Sequence, residues 1–260
     1  MGRFDHLEMS NWSPELETPD PNSGTRDENY YKEQADEAFI NEDYERALAY
    51  YSRALQYNIS LEECWLGQLR CLIELWELQE AVVWSNRALE KFPKSAQLLA
   101  ARAVAECRMG HTESAMGYSD GAFSEAGVNT YCWIARGEVL LSKNYNNAKA
   151  CFAKAIELAP NDWSIRAAIG HAFRVRKSFT NAYDYFKQAV KLDSDRAACW
   201  YWLGKCAESL GEIDEAATAY KRALMVSSSY KKALDDLYKI ENKGLFSRMG
   251  YAIRRLFKRK

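Results

Sequence analysis

Proline is scarce in this chain. Of five prolines in 260 residues, Pro14, Pro19 and Pro21 crowd into the first 21 positions, and only Pro93 and Pro160 follow. So little proline suits helices, since proline deletes a helix hydrogen bond and clashes with the turn before it. Long apolar runs are missing too. None approaches the ~20 residues that a membrane-spanning helix needs. The first 30 residues lack the apolar centre of a secretory signal, so a cytosolic start is expected. The seven cysteines are odd in number and show no disulfide-framework spacing. They are expected to be reduced thiols in an intracellular protein. Histidine is rarer still: His6, His111 and His171 stand far apart. Neither a metal site nor a phosphate-binding glycine-rich loop is expected, and no cofactor is implied. No alternating pattern argues for a strand.

What the chain does have is a period. Alanines recur at Ala47, Ala81, Ala115, Ala148, Ala182 and Ala216, in steps of 34 residues with one step of 33. Seven residues after each stands another: Ala54, Ala88, Ala122, Ala155, Ala189 and Ala223. Residues seven apart share one helix face, two turns along, and a methyl side chain there lets a neighbouring helix come close. Three residues before five of the first set sits a bulky residue: Tyr44, Leu78, Tyr145, Phe179 and Ile213, with Thr112 the exception. These mark the starts of second helices. Each unit divides into two apolar-periodic stretches joined by a few polar or glycine-containing residues, the pattern of a helical hairpin.

With Trp200, Leu203, Gly204, Leu210, Gly211, Ala216, Tyr220 and Ala223 in one unit, and Trp133, Gly137, Tyr145, Ala148, Phe152, Ala155 and Pro160 in another, the chain resembles the tetratricopeptide repeat family. The resemblance covers about residues 28–228. It implies an all-α, right-handed solenoid of six helix–turn–helix repeats. Residues 1–27 read as a leader, 229–242 as a capping helix of the kind a stacked array needs, and 243–260 as a basic tail. The cap places Ala233, Leu234, Leu237, Tyr238 and Ile240 on one side. The third repeat departs furthest. Gly117 and Gly121 weaken its second helix, and Ser119 occupies the slot that Tyr51, Phe152, Phe186 and Tyr220 fill elsewhere. This repeat is expected to be the loosest part of the stack, as a joint or a shallow cavity.

Catalysis finds no support. Gly117-Tyr118-Ser119-Asp120-Gly121 fits a G-x-S-x-G nucleophile string, but that chemistry needs a strand and a strained turn, and the string lies mid-helix. The resemblance implies a non-catalytic scaffold or adaptor whose first helices line a concave groove for a partner peptide. Transferred position by position, its groove residues are Lys32, Asp36, Arg70, Glu74, Arg108, Tyr131, Ile134, Glu138, His171, Arg174, Tyr201 and Lys205. The clamp that some members use for C-terminal carboxylates is not expected, because Asp36 stands where that clamp has asparagine.

Charge is uneven. The whole chain carries a formal −1, yet residues 243–260 hold seven Lys/Arg and no acid. On a helix, Leu245, Phe246, Met249, Ala252, Ile253, Leu256 and Phe257 share one arc, opposite Arg248, Arg254, Arg255, Lys258 and Arg259. A basic amphipathic helix suits a membrane surface, a partner groove or the cap itself. Peripheral attachment to the cytoplasmic face of a membrane is the expectation, and nucleic acid is not. The alternative reading is a regulatory subunit or inhibitor that docks on one enzyme through its terminal segments.

Overall fold

The computed structural model describes residues 26–242. Twelve α-helices stand in order among them: α1 Glu28–Ile40, α2 Tyr44–Tyr57, α3 Glu62–Glu74, α4 Leu78–Lys91, α5 Ala96–Arg108, α6 Thr112–Ser124, α7 Thr130–Leu140, α8 Tyr145–Leu158, α9 Trp163–Val175, α10 Phe179–Leu192, α11 Ala197–Leu210 and α12 Ile213–Val226. A further helical run covers 231–242. No strand occurs among the described residues.

Short polar side chains begin several helices. Asp27 accepts from the Asn29 and Tyr30 amides, Ser95 from Leu98, Asn129 from Cys132 and Asn144 from Asn147, each satisfying amides that a helix start leaves open. The turns inside five hairpins place one residue in the left-handed region: Glu42, Trp76, Gly110, Lys177 and Gly211. All twelve periodic alanines are at most 1% exposed. The six residues three before the first set, Thr112 included, are the first residues of the second helices.

The chain forms two compact units that part between Ala159 and Pro160. The first holds α1 to α8, four hairpins. Gly137 shows why this core needs a residue without a side chain: an added Cβ would clash with the Phe152 ring. Packing then changes along the unit. Against the hairpin before it, α3 rests more on α2 than on α1 and α5 more on α4 than on α3, whereas α7 rests more on α5 than on α6. The reason is the surface of α5. Ala100, Ala101, Val104, Ala105 and Cys107 are small and all buried, so α5 is covered on every side.

The second unit holds α9 to α12 and the run 231–242. A Cβ on Gly204 would lie 2.6 Å from Tyr220, so here too the ring occupies the space. The run 231–242 seats only one stripe on this unit. Ala233 and Leu237 are buried and Ile240 half-buried, but Leu234 and Tyr238 are 53% and 69% exposed. The single face expected for all five is therefore split. Positions 233, 237 and 240 repeat at helical spacing, and their neighbours at 234 and 238 lie about 100° further round.

Candidate partner-binding surface

In the first unit, α3, α5 and α7 bring six of the predicted residues together. Arg108, at the end of α5, donates from Nε to Glu138 Oε1 at 2.7 Å and from Nη2 to Glu74 Oε1 at 2.9 Å, and caps the Ile73 carbonyl at 3.2 Å. Its side chain is 3% exposed. Burial alone would lower its proton affinity, but the two carboxylates outweigh that and hold the guanidinium charged. Arg70 on α3 lies beside this triad, its guanidinium 4.3 Å from the Phe39 ring and 5.1 Å from the Tyr131 ring. Tyr131 is half-buried, and desolvation pushes its hydroxyl pKa up. Ile134 and Glu138 are buried rather than presented, because α7 turns this face onto α5.

Lys32 and Asp36 form a separate group on α1. Lys32 pairs with Asp36 at 3.2 Å and with Glu63 at 2.9 Å, and Tyr51 donates to Asp36 at 2.6 Å. The hydrogen bond to Glu63, aided by Asp36, raises the ammonium pKa despite desolvation.

In the second unit Arg174 stacks on Trp202 at 4.2 Å and donates through Nε to His171 Nδ1 at 3.3 Å. His171 meets Trp202 and Phe186 edge-on. Tyr201 is buried, its hydroxyl donating to Asp236 at 3.1 Å. Lys205 pairs with Glu208 at 2.9 Å and with the same Asp236 at 3.2 Å. These two residues hold the run 231–242 in place. His171, Arg174, Trp202 and Lys205 keep partly exposed surface.

Two arginines escaped the reading of the sequence. Where aromatic rings are replaced by Ser85 and Ser119, a guanidinium from the next hairpin enters. Arg102 donates to Ser85 Oγ, the Val82 carbonyl and Asn86 Oδ1, all within 2.8 Å, and pairs with Glu106 at 2.7 Å. Arg136 donates to Ser119 Oγ at 3.1 Å and pairs with Asp120 at 2.8 Å. Ser85 is fully buried and Ser119 2% exposed. Of the two expectations for the third hairpin, a joint or a shallow cavity, the cavity is thus replaced by a polar slot that Arg136 enters. The signal was available: Arg102 and Arg136 each stand 17 residues after such a serine.

Ser119 of the G-x-S-x-G string sits within α6, without the strand-to-helix turn a nucleophile needs. Cys107 and His111 are four residues apart, but Cys107 Sγ faces the Glu138 carbonyl at 3.9 Å and His111 Nδ1 meets Glu106 at 2.7 Å. No group of three metal-ligand side chains occurs among the described residues. No helix among them is long and apolar enough to cross a membrane. Phe246, Arg248, Met249, Ile253, Arg254, Arg255, Leu256, Phe257 and Lys258, proposed for membrane contact, lie outside the described residues, as do residues 1–25 of the leader.

Comparison with known proteins agrees with the hairpins. Residues 32–106 match the family described as tetratricopeptide repeat, and 141–223 the family described as anaphase-promoting complex, cyclosome, subunit 3. The chain is 27% identical over 199 residues to the human protein O-mannosyl-transferase TMTC1, covering 74% of this chain and 22% of that protein. It is 24% identical over 214 residues to the TPR repeat-containing protein MJ1428 of Methanocaldococcus jannaschii, covering 77% of this chain and 36% of that one. The chain therefore spans only about a fifth to a third of these relatives. Among solved structures, TTC0263, a thermophilic TPR protein of Thermus thermophilus, superposes with a TM-score of 0.50 at 17% identity, over 82% of this chain and 98% of that one. Its buried periodic alanines and its hairpins agree with these matches: residues 32–106 match the tetratricopeptide repeat family, and the chain is similar over most of its length to proteins built of such repeats.

Proposed function

We propose that the chain is a non-catalytic scaffold that binds a segment of a partner polypeptide on the surface of its first helices. One observation carries this reading. In each unit a partly exposed arginine on a first helix lies over aromatic rings, Arg70 over Phe39 and Tyr131 and Arg174 over Trp202. Arginine and aromatic side chains dominate binding energy at protein interfaces, and anchors fixed before binding lose less entropy on complex formation. The test is a crosslinked pull-down with the full chain and with Arg70→Ala and Arg174→Ala variants that keep the parent helicity. Loss of specific partners from either variant is expected. A partner set unchanged in both would remove these surfaces from the function.

The tail, residues 243–260, adds reversible attachment to an anionic membrane in this proposal, supported by the apolar arc and its flanking basic residues in the sequence. Each basic residue contributes about 1 kcal/mol near such a surface. Co-sedimentation with anionic vesicles should weaken with salt and in Phe246→Glu. Equal recovery with neutral vesicles, or full binding by a chain ending at Asn242, refutes attachment through the tail.

A further inference from the structure

Arg70 differs from the other charged side chains of its face in one respect. Lys32 is paired with Asp36 and Glu63, and Arg108 with Glu74 and Glu138. Asp36 also accepts from Tyr51. Glu74, four residues after Arg70 on the same helix, is taken up by Arg108. Every acid of the cluster is thus engaged. Arg70 has neither a carboxylate nor a hydrogen-bond acceptor among the described residues; its contacts there are the two rings, Phe39 at 4.3 Å and Tyr131 at 5.1 Å. The side chain is partly exposed, so its donors reach solvent.

We infer that Arg70, walled by Phe39 and Tyr131, is a receptor for a carboxylate, and that the partner segment bound here presents an Asp or Glu side chain to it. The inference rests on the peptide-binding reading above and names the chemistry of the peptide. A guanidinium offers a planar fork of donors that a carboxylate accepts bidentately. The two rings, 4.3 and 5.1 Å from the guanidinium, restrict where it can move and exclude water from the sides they cover, so part of the ordering cost is met before the acid arrives. A carboxylate is planar like the guanidinium and meets its fork edge to edge through both oxygens, whereas a tetrahedral phosphate leaves oxygens out of that plane beside the rings. The family's carboxylate clamp plays no part: Asp36 occupies one of its positions, and Arg70 works through aromatic walls instead.

The test is a magnetic-resonance titration of the full, isotope-labelled chain with sodium acetate, at ionic strength held constant with chloride. The Arg70 Nε–H and the Phe39 and Tyr131 ring signals should shift and saturate. Arg70→Gln should abolish saturation, and Arg70→Lys, which keeps the charge but loses the fork, should weaken it about tenfold. Linear shifts no larger than those of exposed Arg222 overturn the receptor. Sodium phosphate forms the second arm, and saturation by phosphate below the acetate range overturns the carboxylate assignment.

Selection of a random dodecapeptide library on the full chain tests the partner. An acid at one fixed position, lost in selections on Arg70→Gln while the other positions persist, supports the inference. The same acid recovered on both chains overturns it and leaves peptide binding standing. Saturation by acetate with no peptide selected keeps the receptor and faults the peptide-binding reading.

Discussion

Ser119→Phe is the substitution for which sequence and structure foresee opposite signs. Phe152, Phe186 and Tyr220 occupy the same repeat position and are fully buried, so a ring at 119 looks like a repair. The structure puts the Arg136 guanidinium there instead, donating to Ser119 at 3.1 Å. A phenylalanine would have to expel it. The hydrogen bond to a charged donor is worth roughly 1.5–3 kcal/mol when buried, but the Arg136 side chain is 24% exposed and keeps Asp120 as a partner, so the lower end applies. Forcing a ring into a packed site adds a typical 1–3 kcal/mol, partly offset by the apolar area that the ring buries. The net expectation is a loss of roughly 1–3 kcal/mol. Leu203 holds the place of Arg136 in the hairpin after Phe186. Ser119→Phe with Arg136→Leu should therefore recover most of the loss, with a coupling of about 1–2 kcal/mol in a double-mutant cycle. Urea unfolding followed by helix signal measures it, provided the transition is checked with a second probe, because repeat arrays depart from two-state behaviour. A stabilising Ser119→Phe, or two substitutions that simply add, would refute the filled-slot argument.

Gly117→Ala should stabilise by about 1 kcal/mol in the same assay, since its Cβ meets nothing within 4 Å on a helix. Gly137→Ala should instead destabilise by roughly 1–3 kcal/mol, because its Cβ would clash with the Phe152 ring. Arg108→Met strands Glu74 and Glu138 and should cost roughly 3–5 kcal/mol, with Glu138→Gln in the same chain recovering part of it. Burial raises the thiol of Cys206 from its ordinary value of 9.0 to about 12 and raises Cys71 as well. The unfolded chain releases these protons first, so it binds fewer of them above pH ~9. Stability must then fall as pH rises, by up to about 1.4 kcal/mol per pH unit for each such thiol. A flat unfolding midpoint between neutral pH and pH ~10 would contradict this.

The hairpins were legible because one physical demand repeats. Helices that pack closely need a methyl at fixed spacing, and Ala47 through Ala223 meet that demand on every second helix. The cap was half legible: hydropathy marks Leu234 and Tyr238 as apolar, but only geometry shows that the seat is taken by Ala233 and Leu237, fastened by Asp236 to Tyr201 and Lys205. The candidate surface was legible as a set of positions and not as a set of roles. Tyr201 was predicted as a groove residue; in the structure it is buried and its hydroxyl is bound to Asp236.

Four arginines of the first unit make the physical reason plain. Arg70, Arg102, Arg108 and Arg136 all lie on first helices, and a sequence records the same charge and length for each. What separates them is the hairpin that each one meets. Arg102 and Arg136 enter places vacated by a ring and exchange hydrogen bonds with serine. Arg108 is neutralised between two carboxylates because α7 closes onto α5 and carries Glu138 to it. Among the described residues Arg70 meets rings and no acid. A buried guanidinium with its acids in place contributes internal specificity and has little left to offer a ligand. A stacked one without an acid retains its donors. The packing of α7 onto the alanines of α5 thus does two things at once: it takes Arg108 out of the proposed surface, and it brings Tyr131 beside Arg70.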